Sequence, residues 1–118
     1  MGNGVNVRLA EFAHIQGIHD LLLTLHAEHG FSPYPPPDDV ALMRGLLEAF
    51  ENGIVLVALE GGRVVGTMVL ERAFYFWNNK QVFLRNIFFS VLPEFRSMKI
   101  VEAMLKLAKQ FEIGRAHV

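Results

Sequence analysis

The spacing of apolar residues divides the chain into stretches of extended and helical period. A short alternating run over Val5–Ala10 predicts a first strand. From Glu11 to Glu28 the apolar positions recur at intervals of three and four, which predicts an amphipathic helix with His and Asp on its outer face. These positions are Phe12, Ile15, Ile18, Leu22 and Leu25.

A second helix is predicted after the proline-rich stretch 30–37, which is expected to be a loop because proline cannot join a hydrogen-bonded ladder. Asp38 or Asp39 is suited to cap this helix, and Gly53 is suited to end it. Its predicted buried stripe comprises Val40, Met43, Leu46, Leu47 and Phe50.

The middle of the chain reads as a hairpin of antiparallel strands. Ile54–Leu59 and Val64–Leu70 are apolar runs joined by a glycine-containing turn. Gly66 inside the second run indicates a bulge or a close approach of two backbones. The aromatic cluster 74–77 follows, with a turn predicted at Asn78-Asn79, and it is open to two interpretations: core, or a binding lip or dimer contact.

The strongest local pattern is a strand, a turn and a long helix over Phe83–Phe111. Near-continuous apolarity over Phe83–Val91 predicts a strand covered on both faces, and Pro93 ends it. Ser97 is suited to cap a helix whose apolar stripe includes Ile100, Val101, Met104, Leu107, Ala108 and Phe111. The free N–H groups at such a helix start form an anion site, and Arg96 stands at its mouth.

Composition excludes several classes of protein. The chain has 118 residues, a net charge of −1 and no cysteine. These values favour one globular domain, and they argue against a nucleic-acid binder, a disulfide framework and a thiolate nucleophile. We expect a cytoplasmic protein without signal peptide, membrane span or bound metal.

The segment V-L-P-E-F-R-S-M-K-I-V-E-A-M-L resembles the acetyl-CoA-binding signature of the GNAT N-acetyltransferases. The matching positions are Val91, Pro93, Phe95, Arg96, Ile100 and Leu105. Ser97, Lys99 and Val101 depart from it, since the family has glycine or alanine there. The starting V-x-V-R-x-A and the hairpin V-A-L-E-G-G-R-V-V-G also resemble the family, so the resemblance covers nearly the whole chain.

The resemblance implies an α/β fold (α+β with a mixed sheet) in the order β-α-α-β-β-β-α. It implies transfer of acetyl from acetyl-CoA, a cosubstrate, to a primary amine of unknown identity on a small molecule or peptide. The implied pantetheine contact is the backbone of Phe89 and Val91. The implied pyrophosphate cradle is Arg96, Ser97, Met98, Lys99, Ile100 and Val101. For Arg96 the alternative is a solvated surface arginine.

The chemistry of the acceptor side is less defined by the sequence. No general base is evident; Glu28 is a candidate base or amine-binding carboxylate, and its place at a helix end favours a solvated acid. Phe31 and Tyr34 could line an acceptor site or simply pack within their loop. His26 and His29 flank Glu28, but no third metal ligand accompanies them, which favours surface or capping histidines.

The end of the chain departs from the family, which continues with a further strand and helix. Residues 113–118 are the residues that the start of a common sequencing adapter would encode. We therefore expect residues 1–112 to be a partial acetyltransferase domain and 113–118 to be non-native. Such a fragment would be weak or inactive, with an apolar edge strand prone to self-association, and a homodimer is one outcome. The alternatives are a non-catalytic interaction domain of the same fold and a generic α/β binding domain.

Overall fold

The computed structural model describes residues 4–28, 38–75 and 77–116. Over these ranges it contains three α-helices and four strands, in the predicted order β-α-α-β-β-β-α. Short 3₁₀ turns at Phe12–His14 and Pro93–Phe95 precede the first and last helices. The elements are β1 (Val5–Leu9), α1 (Ile15–Glu28), α2 (Asp39–Asn52), β2 (Gly53–Glu60), β3 (Arg63–Tyr75), β4 (Asn78–Val91) and α3 (Met98–Ala116).

The strands form one sheet in the order β1-β2-β3-β4, and all neighbouring strands are antiparallel. The β2–β3 hairpin turns at Gly61 and Gly62, whose φ angles of +56° and +87° are in the region where side chains are strained. The register between β2 and β3 shifts next to Gly66, so the predicted irregularity at this glycine is confirmed.

The helices cover both faces of the sheet. Gly17 of α1 lies against Val64 of β3, where an added Cβ would lie 2.7 Å from a methyl carbon of Val64. On the opposite face α3 contacts β1, β2 and β4. Two-sided coverage explains why consecutive residues of β2 and β3 are buried. The fully buried core includes Ile18, Leu56, Val57, Val65, Met68 and Met104.

The buried stripes of the first two helices differ in part from the predicted ones. Phe12 and Val40, both predicted to be buried, are each 65% exposed because they lie at the helix starts, beyond the edge of the core. In α2 the buried positions are Leu46 and Ala49, while Leu47 is 40% exposed. His19, predicted on an outer face, is only 7% exposed because it packs where α1 meets α2, with Nε2 3.7 Å from Asp39.

The strand β4 is longer and more exposed than predicted. Ile87 and Phe88 are 44% and 40% exposed, so the prediction of cover on both faces is wrong. The reason is that β4 lies at the edge of the described sheet, with β3 as its neighbour on one side.

The turn predicted next to the aromatic cluster is wrong. Asn78 and Asn79 belong to the start of β4 rather than to a turn. Phe74 and Trp77 are 57% and 78% exposed, so they do not belong to the core. Phe76 lies outside the described residues.

The last helix agrees with its predicted pattern. Ile100 and Met104 are buried, and Val101, Leu107, Ala108 and Phe111 are partly buried. The helix continues to Ala116, and the expected non-native origin of residues 113–118 stays a prediction. No helix in the described part of the chain has the length and apolarity to cross a membrane.

Candidate functional site

The connection from β4 to α3 is built from short local hydrogen bonds. The Leu92 N–H donates to the Val65 carbonyl at 2.9 Å, which continues the β3–β4 register one step beyond the strand. Pro93 then starts a 3₁₀ turn that the Phe95 N–H closes on the Leu92 carbonyl at 2.9 Å. This turn brings the end of the strand next to the start of the helix.

The main-chain groups of Phe89 and Val91 face the open edge of the sheet. Bonded and non-bonded pairs alternate along an antiparallel ladder, and Leu92 is bonded to Val65. The pairs Val91–Gly66 and Phe89–Met68 are therefore of the non-bonded kind. Their N–H and C=O groups point away from β3, as a pantetheine contact of the predicted type requires.

A bulge interrupts β4 just before these residues. Val69 pairs with Phe88 and Leu70 pairs with Asn86, so Ile87 is an extra residue in β4. A bulge leaves its residue outside the regular ladder and bends the strand. β4 therefore bends at Ile87, close to the outward-facing main chain of Phe89.

Arg96 and Ser97 shape the start of α3. The Nε of Arg96 donates to the carbonyl of Val91 at 2.8 Å, across the strand-to-helix connection. The Ile100 N–H donates to the Ser97 Oγ at 3.4 Å, so the predicted cap is present with a long bond. By helix geometry the first N–H groups of α3 lack intrahelical acceptors, and with the helix dipole they favour an anion.

The residues predicted for the pyrophosphate cradle divide into two groups. Arg96, Ser97, Met98 and Lys99 have exposed side chains at the start of α3. Ile100 is 7% exposed and packs in the core, and Val101 is partly buried. The side chains of the last two hold the helix on the sheet, so only their main chain is suited to meet a ligand.

Most predicted residues of the acceptor side lie outside the described part of the chain. Phe31, Tyr34 and His29 belong to the stretch 29–37, and the side chain of Glu28 is likewise outside it. Their proposed roles stay predictions. His26 is described and partly buried, and no group of three acidic or histidine side chains suited to a metal occurs among the described residues.

A cavity of about 510 Å³ lies between α2 and strands β3 and β4. Its lining is largely apolar, with carboxylates at Asp38, Glu48 and Glu71. Sequence reasoning did not identify it, because the lining comes from four separate elements, α2, β2, β3 and β4. The signal available in the sequence was Gly45, a glycine in the interior of the predicted second helix, where it costs stability relative to alanine.

Comparison with solved structures identifies the fold. A GNAT family acetyltransferase from Staphylococcus aureus superposes with a TM-score of 0.69 at 16% identity, covering 96% of this chain and 81% of that one. A predicted acetyltransferase from Clostridium acetobutylicum, solved with acetyl-CoA, gives 0.75 at 18% identity, covering 94% and 75%.

A third similar structure is an aminoglycoside acetyltransferase from an uncultured soil sample, in complex with sisomicin. It gives a TM-score of 0.73 at 16% identity, covering 97% of this chain and 73% of that one. No model of a protein family matches the sequence, and no curated protein sequence matches it. The chain therefore has the fold of the GNAT acetyltransferases, as its strand–turn–helix segment predicted.

Proposed function

We propose that this protein is a GNAT-type N-acetyltransferase that transfers acetyl from acetyl-CoA to a primary amine. The observation that carries the proposal is the pairing of two features at one place. The main chain of Phe89 and Val91 faces the sheet edge, and the start of α3 follows directly after the turn at Pro93–Phe95. Acetyl-CoA carries both a thioester arm, which the strand edge would bind, and a pyrophosphate, which the helix start would bind.

In this proposal the start of α3 binds the pyrophosphate. Its first N–H groups and helix dipole attract the anion, and the exposed Lys99 adds a positive charge. Arg96 directly precedes this helix start in the chain, and its Nε also donates to the Val91 carbonyl. Acetyl-CoA supplies an activated acyl carbonyl when bound at this edge.

The chemical step needs an unprotonated amine beside that carbonyl. The amine nitrogen forms the new C–N bond, the C–S bond breaks, the thiolate leaves with its electron pair, and the nitrogen loses a proton to a base. The main chain of Phe89 and Val91 can orient the thioester arm and donate a hydrogen bond. Glu28 stays a candidate for the base.

Acetyl-CoA binding is the direct test. Ligand binding raises the midpoint of thermal unfolding by mass action, and saturation at a hundredfold over Kd is worth about 2.7 kcal/mol. We expect acetyl-CoA to raise the midpoint and Lys99→Glu to weaken binding by tenfold or more. Lys109→Glu makes the same charge change further along α3 and should leave binding nearly unchanged.

Acetylpantetheine sharpens this test because it lacks the pyrophosphate. Acetylpantetheine should bind more weakly than acetyl-CoA, and its affinity should be the same for the parent and for Lys99→Glu. If Lys99→Glu weakens both ligands equally, the start of α3 is not the pyrophosphate site.

A non-catalytic domain of the same fold is the second candidate. It is favoured by Ser97, Lys99 and Val101, which stand where the resembled family has small residues. It predicts no stabilisation by acetyl-CoA and no release of thiol when amines are added, whereas the enzyme predicts both.

A further inference from the structure

We propose that the cavity between α2 and strands β3 and β4 binds the acetyl acceptor, and that this acceptor is a primary amine with an apolar body. The inference rests on the proposed function and names the substrate class of that function. It concerns residues other than Phe31 and Tyr34, the loop residues that the sequence indicated for the acceptor.

The size and lining of the cavity suit a small apolar molecule. Its volume of about 510 Å³ falls within the roughly 300–1,000 Å³ that is usual for small-ligand sites. Leu42 and Leu46 of α2 form one wall, and Val69 and Phe88 form the other. A ring or a short hydrocarbon chain would bury apolar surface here, whereas a polyhydroxylated body would lose hydrogen bonds to water.

The charge of the lining selects a cation. The lining includes three carboxylates, those of Asp38, Glu48 and Glu71, and one guanidinium, that of Arg72. The Nε of Arg72 donates to the Asn52 carbonyl at 3.2 Å, which ties that side chain to the end of α2.

The three carboxylates are not equally engaged. Oδ1 of Asp38 accepts from the N–H groups of α2, and Glu71 pairs with Arg85. Glu48 takes part in no ion pair among the described residues. An ammonium group would meet a net negative lining, with Glu48 as its principal partner.

At Gly45 the space beside α2 is open. Glycine within a helix costs stability relative to alanine, and no contact requires it here, because an added Cβ at this position would meet nothing within 4 Å. Gly45 lines the cavity. A larger side chain at this position would extend into the space that we assign to the ligand.

The cavity borders the strand that carries the thioester side of the site. Ile87, the bulge residue of β4, and Phe88 line it, and Phe89 is the next residue along the strand. An amine in the cavity would therefore lie beside the strand whose edge is proposed to hold the acyl donor.

The test measures binding of 2-phenylethylamine by ligand-observed NMR, without acetyl-CoA. 2-Phenylethanol serves as the neutral analogue of similar shape, and glucosamine as the amine with a polar body. We expect 2-phenylethylamine to bind at least tenfold more tightly than either. Equal binding of the alcohol would overturn the cationic selectivity, and equal binding of glucosamine would overturn the apolar body.

Variants then locate the site. Gly45→Phe should abolish binding of 2-phenylethylamine, whereas Gly45→Ala, which leaves most of the space, should retain it. Glu48→Gln should weaken binding by fivefold or more, and Glu60→Gln, at the end of β2, should not. If Gly45→Phe does not fold by circular dichroism, Gly45→Met replaces it with the same expectation.

The outcomes separate this inference from the proposed function. If Gly45→Phe, or Gly45→Met in its place, folds and binds 2-phenylethylamine as tightly as the parent, the amine binds elsewhere and the inference is overturned. Failure of 2-phenylethylamine to bind a chain that still binds acetyl-CoA would also overturn the inference while leaving the enzyme class intact. Failure of acetyl-CoA to bind would instead overturn the function on which the inference rests.

Discussion

The Nε of Arg96 donates a hydrogen bond to the carbonyl of Val91 at 2.8 Å. The two residues lie on either side of the turn at Pro93–Phe95, so the bond holds the end of β4 against the start of α3. Val91 also carries main-chain groups that face the sheet edge. The geometry gives Arg96 a positioning role at the proposed acetyl-CoA site, in addition to any contact with a phosphate.

Replacing Arg96 should therefore change both stability and cofactor affinity. A hydrogen bond from a charged group contributes about 1.5–3 kcal/mol, and solvent exposure places Arg96→Ala nearer to about 1 kcal/mol. Acetyl-CoA affinity should fall by about tenfold, or about 1.4 kcal/mol. Urea unfolding and a titration with acetyl-CoA measure the two effects.

Arg44→Ala, on the exposed face of α2, is the matched control for loss of an arginine. It should leave acetyl-CoA affinity unchanged. The positioning role also requires that Arg96→Lys, which keeps the charge but not the Nε geometry, recovers only part of the affinity. Full recovery by lysine would show that charge alone matters.

Two helix glycines should respond in opposite directions to the same substitution. At Gly45 the added methyl group meets no neighbour, so Gly45→Ala should stabilise the protein by up to about 1 kcal/mol. At Gly17 it would lie 2.7 Å from a methyl carbon of Val64, so Gly17→Ala should destabilise by about 1–3 kcal/mol. Urea midpoints of the two variants measure this, and stabilisation by Gly17→Ala would contradict the packing of α1 on β3.

The buried Thr67 should tolerate an isosteric change poorly. Its Oγ1 donates to the carbonyl of Leu56 at 2.9 Å, and the residue is fully buried. Thr67→Val keeps the shape and removes the bond, with an expected loss of about 1 kcal/mol in the free energy of unfolding. Thr24→Val removes the hydroxyl bond to the Asp20 carbonyl on an exposed helix position and should change stability by less than about 0.5 kcal/mol.

The start of α2 should depend on one aspartate more than on its neighbour. Oδ1 of Asp38 accepts from the Val40 N–H at 2.9 Å and from the Ala41 N–H at 3.4 Å. Asp38→Ala should cost about 1 kcal/mol, and Asp38→Ser, which keeps a capping oxygen, should cost less. Asp39→Ala removes a charge in the first turn and the carboxylate that lies 3.7 Å from His19 Nε2, with an expected cost of about 0.3–1 kcal/mol. Thermal unfolding of the three variants ranks them, and an equal loss in the two alanine variants would argue against capping by Asp38.

The features that the sequence predicted correctly are those decided by neighbours along the chain. Pro93 ends a strand because it cannot donate to the ladder. The Ser97 hydroxyl caps a helix by accepting a hydrogen bond from the N–H three residues later. Gly61-Gly62 forms the turn of a hairpin. The strand–turn–helix resemblance rests on the same local signals, and comparison with solved structures confirms the fold that it implied. The sequence narrowed the α2 cap to Asp38 or Asp39, and the hydrogen bonds to Asp38 decided between them.

Tertiary structure decided the features that depend on which helices and strands pack against each other. Apolar residues of β4 predict burial, yet Phe88 is exposed because the described sheet ends at that strand. His19 reads as a surface residue of α1, yet it is buried where α2 packs against it. The cavity that brings Gly45, Glu48, Glu71 and Phe88 together joins positions far apart in sequence, and local periodicity contains no information about such distances. Hydrophobic burial is non-directional. An apolar sequence pattern therefore predicts that a side chain will be buried, and only the assembled fold determines which residues bury it.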